Sequence, residues 1–321
     1  MSQSEQYKAG IYGLFVGDAL GVPVEFTSRT NLEKEPVTGM RSGGTHGQPA
    51  GTWSDDSSMA LCLMASVLDR DGINYDDIMR RFSAWMFDGT YTPYGECFDC
   101  GHACVQAISR YQHGTPAELC GGNSLRSNGN GSLMRILPLI SYLYPLYGSD
   151  LTTSDEAMAL VHIISGLTHR HPIAQSACGI YLNIAARLLD GACLPDAISA
   201  GTTAALDWYA KQPQFAEHLS VWDRIADPSA WAVAPVEQVN SGGYVVDSLE
   251  AALWCLLNTE NYRDCVLKAV NLGEDTDTTA AIAGGLAGLA YGMDGIPAEW
   301  VSTLARKDMI DKYLPKTAAD V

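Results

Sequence analysis

The chain has 321 residues, 20 of them basic and 37 acidic, for a formal net charge of −17. At 47% hydrophobic and 18% charged it has material for a large core and is no disordered tail. This much negative charge repels polyphosphate chains and excludes a basic nucleic-acid groove. A small anionic ligand would need bound cations or backbone N–H groups to hold it.

The chain opens on a polar stretch, residues 1–8, with no cationic segment leading into an apolar one. Its 9 cysteines are an odd number and cannot all pair, so reduced thiols in a cytoplasmic protein are expected. The first helix is predicted over 7–20, with Gly10, Gly13, Gly17 and Gly21 near one face. A helix-interior glycine costs about 1 kcal/mol against alanine, so such a stripe implies two backbones packed very close. Residues 57–70 form a strong amphipathic run through Met59, Leu61, Leu63, Met64, Val67 and Leu68. Helical spacing continues over 75–87, 102–111, 133–144, 155–166, 173–189, 195–209, 245–257, 262–271 and 278–291. Short β-branched stretches at 232–239 and 243–246 read as strand or loop, and 212–234 reads as an irregular insertion over the surface. The prediction is an all-α, single-domain chain. The apolar segment 279–291, with Gly284, Gly288 and Gly292 in membrane-like spacing, is too short to span and lacks Lys or Arg anchors. It is predicted as a helix buried in a bundle.

Two acidic segments each precede an apolar helix: Gly51-Thr-Trp-Ser-Asp-Asp-Ser-Ser58 and Gly273-Glu-Asp-Thr-Asp-Thr-Thr279. Helix capping accounts for one such residue per helix. Here Asp55 and Asp56 are adjacent, Asp275 and Asp277 are two apart, and hydroxyls flank both pairs. Like charges packed together call for a cation, and oxygen ligands of this kind suit Mg²⁺, Mn²⁺ or Ca²⁺. Spacing alone does not bring the two segments together.

Ser127-Asn-Gly-Asn-Gly-Ser-Leu-Met-Arg135 reads either as a backbone nest for phosphate or ribose oxygens leading into a helix, or as an ordinary Gly-rich turn. Cys97, Cys100, His102 and Cys104 invite a zinc reading, but four ligands so tightly spaced close a tetrahedron poorly; buried thiols are expected. No Gly-x-Ser-x-Gly elbow supports Ser/His/Asp hydrolysis.

Taken together, in order and over residues 10–292, these segments resemble the ADP-ribosylglycohydrolase family. That family includes dinitrogenase reductase-activating glycohydrolases and animal ADP-ribosylarginine and ADP-ribosylserine hydrolases. Gly13-Leu-Phe-Val-Gly-Asp-Ala-Leu-Gly21 followed by Glu25 is similar to the family's opening helix and its acidic residue. Ser54-Asp55-Asp56 is similar to the first metal triplet, usually Thr-Asp-Asp, and Asp275-Thr-Asp277-Thr278 to the second. Asp99-Cys-Gly101, Asn130-Gly131-Ser132 with Met134-Arg135, and Thr168-His169 match the remaining motifs.

The resemblance implies one compact multi-helix orthogonal bundle over 1–321, with two Mg²⁺ (Mn²⁺ as substitute) at the base of an ADP-ribose cleft. It implies Ser54, Asp55, Asp56, Asp275, Asp277 and Thr278 as metal ligands, and Asn130, Gly131, Ser132 and His169 as substrate contacts. Ser54 lacks the methyl of the usual threonine and is freer in rotamer. The base is expected among Glu25, Asp99 and a metal-ligand aspartate such as Asp56. His169 and Arg135 read either as site residues or as core supports. The implied activity is Mg²⁺-dependent release of ADP-ribose from modified protein side chains, arginine favoured. Serine, nucleobase or metabolite linkages, or a silent crystallin-like relative, are the alternatives. Silent relatives tend to lose metal ligands, whereas every ligand position here keeps an oxygen. No membrane and no non-specific nucleic-acid binding are expected.

Overall fold

Ser2 caps the first helix in a capping box: its hydroxyl accepts from Glu5 N while the Glu5 carboxylate accepts from Ser2 N. From there α1 runs Gln3–Gly21. The computed structural model describes residues 1–314. After α1 come α2 (Arg29–Lys34), α3 (Asp55–Arg70), α4 (Tyr75–Asp88), α5 (His102–Gln112) and α6 (Ile140–Tyr147). Then follow α7 (Asp155–Gly166), α8 (Pro172–Leu189), α9 (Leu194–Tyr209), α10 (Pro213–Ala216) and α11 (Pro228–Ala232). The last are α12 (Val245–Leu257), α13 (Tyr262–Val270), α14 (Thr276–Tyr291), α15 (Ala298–Thr303) and α16 (Lys307–Tyr313). The described residues are all-helical, with isolated bridges such as Gly129–Tyr244 in place of any sheet.

Two open readings are resolved and one expectation is corrected. The β-branched stretches form no strands: Val236–Gln238 is a single 3₁₀ turn and α12 begins at Val245. The helix expected over 133–144 starts late, because Pro138 opens a 3₁₀ turn at Leu137–Leu139 and α6 begins only at Ile140. The 212–234 region is irregular but not loose. Trp222 and Trp231 are buried, and their indole N–H groups donate to Ser176 Oγ and Glu250 O at 3.0 and 2.8 Å. Burial of two indoles stitches this region onto α8 and α12.

Helix α14 is buried from Thr276 to Leu289 and packs against α1, α12 and α13. The glycine stripe does what its spacing implies. A Cβ on Gly13 would lie 2.2 Å from Gly284 O, and one on Gly17 would lie 2.1 Å from Ala280 O. A Cβ on Gly21 would meet Asp277 Cα at 2.3 Å. The end of α1 therefore rests on the backbone of the second acidic segment. No helix among the described residues is long and apolar enough to cross a membrane.

Candidate metal and ligand site

Ser54 is the N-cap of α3, its hydroxyl 3.3 Å from Asp56 N. Since Ser54 does the capping, Asp55 and Asp56 exceed what the helix start needs. Their placement is enforced from α1: Asp18 accepts from Ser54 N and Ser57 N, each at 3.0 Å, and from Ser57 Oγ at 2.5 Å. At the other helix start, Asp275 is the N-cap position of α14 but makes no capping bond. Its Oδ2 instead accepts from Asn130 Nδ2 at 2.8 Å, and Asn130 also donates to Ser248 Oγ at 2.9 Å.

The two segments meet. Thr278 Oγ1 and Ser54 Oγ both donate to Asp56 Oδ2, at 3.2 and 3.3 Å. Carboxylate oxygens of Glu25, Asp275 and Asp277 lie within 4.8 Å of one another, and so do ligating atoms of Glu25, His46 and Asp99. Asp55 Oδ2 accepts from Gly101 N at 3.2 Å.

Burial, then mutual repulsion, pushes these acids up. Glu25 is raised to about 9, with Asp99, Asp275 and Asp55 adding to desolvation. Asp55, Asp56 and Asp277 are pushed well above the carboxylate range for the same two reasons, and Asp275 and Asp99 are raised by burial. Asp56 Oδ1 is buried with no hydrogen-bond partner. An orphaned buried oxygen among crowded carboxylates and hydroxyls is what a hard divalent cation satisfies, so the donor set fits Mg²⁺ or Mn²⁺.

Over this cluster lies a cleft of about 480 Å³, within the size range of small-molecule sites. Glu25, Asp55, Asp99, Asn130, Gly131, His169, Asp275 and Thr278 line it. Ser54, Asp56 and Asp277 are buried beside it. Ser132 turns its hydroxyl into the core, where it accepts from Ser165 Oγ at 2.9 Å. Arg135 is fully buried, donates to Gly131 O and Ile164 O, and lies over the Phe82 ring, so it props the loop from behind. His169 pairs with Thr168 Oγ1 at 2.8 Å, and burial pushes its imidazole down to about 3, leaving it neutral. The 127–135 segment does not feed a helix. It runs as turns paired with 243–245 through Asn130 N to Gly243 O and Val245 N to Asn128 O. Cys100 and Cys104 line the cleft, and all nine cysteines are free. Among the described residues, the converging metal-type groups contain no cysteine.

Sequence reasoning missed Asp18, His46, Ser248 and the rim residues Phe26 and Arg126. Asp18 left a signal, the one charge in the apolar stretch 9–21. His46 lies in a Gly/Pro-rich loop without periodicity and left none.

A family model described as ADP-ribosylglycohydrolase matches residues 1–320. The chain belongs to the ADP-ribosylglycohydrolase family. It is 31% identical to an "ADP-ribosylarginine hydrolase Tri1" of Pseudomonas putida (strain GB-1), over 96% of this chain and 76% of that one. It is 29% identical to an "ADP-ribosyl-[dinitrogen reductase] glycohydrolase" of Rhodospirillum rubrum, over 92% and 88%. A solved structure titled "ADP-ribosylglycohydrolase-related protein complex" superimposes with a TM-score of 0.76 at 28% identity, covering 98% of this chain and 97% of that one. As an ADP-ribosylglycohydrolase the chain is a hydrolase of ADP-ribosyl bonds. The family is metal-dependent, and the acidic groups described above are of the kind that binds metal.

Proposed function

We propose that this chain, as one domain, hydrolyses the N-glycosidic bond between ADP-ribose and an arginine side chain in a Mg²⁺-dependent reaction. The acidic cleft carries this reading. Glu25, Asp55, Asp99 and Asp275 line it, and the aromatic rim residue Phe26 is 67% exposed. Glu25 and Asp99, outside the proposed metal triplets, offer oxygens to a guanidinium, and the exposed Phe26 ring offers it a stacking face. Two relatives, from Pseudomonas putida and Serratia proteamaculans, carry the name ADP-ribosylarginine hydrolase. The free thiols suit the reducing cytoplasm, where we place the protein.

Ser54, Asp55, Asp56, Asp275, Asp277 and Thr278 would hold two divalent ions. When bound, these supply positive charge for the ribose hydroxyls and Lewis acidity toward the attacking water. Asn130 fixes Asp275 through its amide. Residues 129–131 and Arg126, which line the cleft, would receive the diphosphate, while Ser132, fully buried with its hydroxyl on Ser165, supports the loop from behind. His169, neutral and buried, packs under Gly131 and shapes the ribose pocket. With divalent cations beside it Glu25 would be ionised, and its carboxylate would take the proton of the water that attacks the anomeric carbon while Asp99 would face the departing guanidine.

The test is release of ADP-ribose from arginine-, serine- and DNA-linked substrates, with Mg²⁺ and with chelator. Mg²⁺-dependent release from the arginine linkage alone is expected. Release only from another linkage refutes the substrate, and release from none by folded, Mg²⁺-loaded protein refutes the activity.

A further inference from the structure

Glu25 has a partner that the metal cluster does not explain. His46 Nε2 lies 2.5 Å from Glu25 Oε2, a hydrogen bond with one proton between the two atoms. The imidazole is mostly buried, its side chain 14% exposed, and it packs against Phe98 and Phe26 at ring separations of 5.3 and 6.3 Å. Asp99 offers an oxygen to the same group. The histidine thus hydrogen-bonds Glu25 and lies within 4.8 Å of Asp99, two acids outside the two proposed metal triplets.

The loop that carries His46 is held without its ring. Gly43 N donates to Gln48 O at 2.8 Å and Thr45 N to Pro23 O at 3.1 Å. Thr45 Oγ1 donates to the backbone carbonyl of Glu25 itself at 2.6 Å. Gly44, at φ +69°, lets the loop come so near that a Cβ there would sit 1.7 Å from Pro23 O. Backbone and Thr45 therefore dock the loop onto residues 23–25, and the imidazole is left over for Glu25. A side chain that the loop does not need, seated between two aromatic rings and aimed at one carboxylate oxygen, is a device for orienting that oxygen.

We propose that His46 is a positioning residue for Glu25, fixing through Nε2 the carboxylate rotamer that faces the cleft. It rests on the reading of Glu25 as the proton acceptor. The hydrogen bond confines Oε2 and leaves Oε1 for the water. Without it the carboxylate, repelled by Asp99 and Asp275, samples rotamers turned away from the cleft.

The test has two arms. In the first, His46→Ala lowers kcat on ADP-ribosylated arginine with Mg²⁺ by about 10- to 100-fold with KM nearly unchanged. His46→Gln, whose Nε2 reaches the same place, restores most of the loss, and far-UV circular dichroism of both matches the parent. An unchanged kcat in the alanine variant, or equal damage in both variants, overturns the proposal. The second arm needs no turnover. In Mg²⁺-loaded protein with ¹⁵N-labelled histidine, Glu25→Ala is expected to shift the His46 ring nitrogens, and unmoved signals also overturn the proposal. If the parent releases no ADP-ribose, the substrate reading fails while the ring signals still decide the pairing.

Discussion

Thr278 Oγ1 donates to Asp56 Oδ2 across 3.2 Å, joining the first turns of two helices whose residues stand 222 apart in sequence. Each segment alone is compatible with capping. Their contact is not, because neither residue is needed to cap the other's helix.

Asp56→Ala and Asp277→Ala are expected to abolish tight Mg²⁺ binding, read by calorimetry, and to reduce ADP-ribose release at least about 100-fold. Both variants should still fold, since removing a carboxylate relieves repulsion in the metal-free state. Full activity in both would falsify the assignment of a metal centre at these helix starts.

Metal-free protein should lose stability as pH rises. Glu25, raised to about 9, and Asp55, Asp56 and Asp277, raised well above their ordinary range, keep protons when folded that they lose when unfolded at about pH 4. Between the unfolded and folded values the folded state binds more protons, so stability is greatest at the low end and falls as pH climbs. Thermal unfolding in chelator from about pH 5 to about pH 8.5 should show this slope, and saturating Mg²⁺ should flatten most of it. Parallel profiles with and without Mg²⁺ would contradict the idea that these acids await a cation.

Gly13→Ala places a methyl group 2.2 Å from Gly284 O, a backbone atom that a rotamer change cannot move. The expected loss is about 1–3 kcal/mol or more by urea denaturation. Because Gly21 of the same helix abuts Asp277, Mg²⁺ affinity should fall too. An alanine variant as stable as the parent would mean that the two helices sit farther apart than described.

Asp18→Ala removes the acceptor of Ser54 N and Ser57 N, both buried. About 1–3 kcal/mol of destabilisation is expected per donor left unsatisfied, measured by chemical denaturation. Weaker Mg²⁺ binding should accompany it, since Asp18 orients the Ser54 end of the cluster without joining it. Asp18→Asn retains an acceptor oxygen and should recover part of both losses.

The two acidic segments were legible because chemistry left a surplus in the sequence, with Asp55, Asp56, Asp275 and Asp277 exceeding what two helix starts require. The α1–α14 contact was legible for a similar reason, since a glycine stripe is unfavourable unless a backbone fills it. The 127–135 loop was legible as a nest or a Gly-rich turn but not in its pairing with 243–245. The β-branched signal there was spent on a short bridge at Gly129–Tyr244 and the start of α12. His46 and Asp18 act through single contacts made across the fold, and such contacts leave no periodic trace. Pro138 was visible all along, and its effect in delaying α6 follows from its missing N–H.

Helix α14 is nearly the last long element of the chain, and it supplies Asp277 and Thr278 along with the surface that α1's glycines require. On a translating ribosome, Glu25, Ser54, Asp55 and Asp56 emerge long before their counterparts. Until α14 emerges, α1 lacks its main packing partner and the first acidic segment lacks the second. Contacts between segments so far apart in sequence slow folding. The two acidic segments therefore meet only after α14 has been made, and a chain cut before residue 276 is expected to bind no metal at these helix starts.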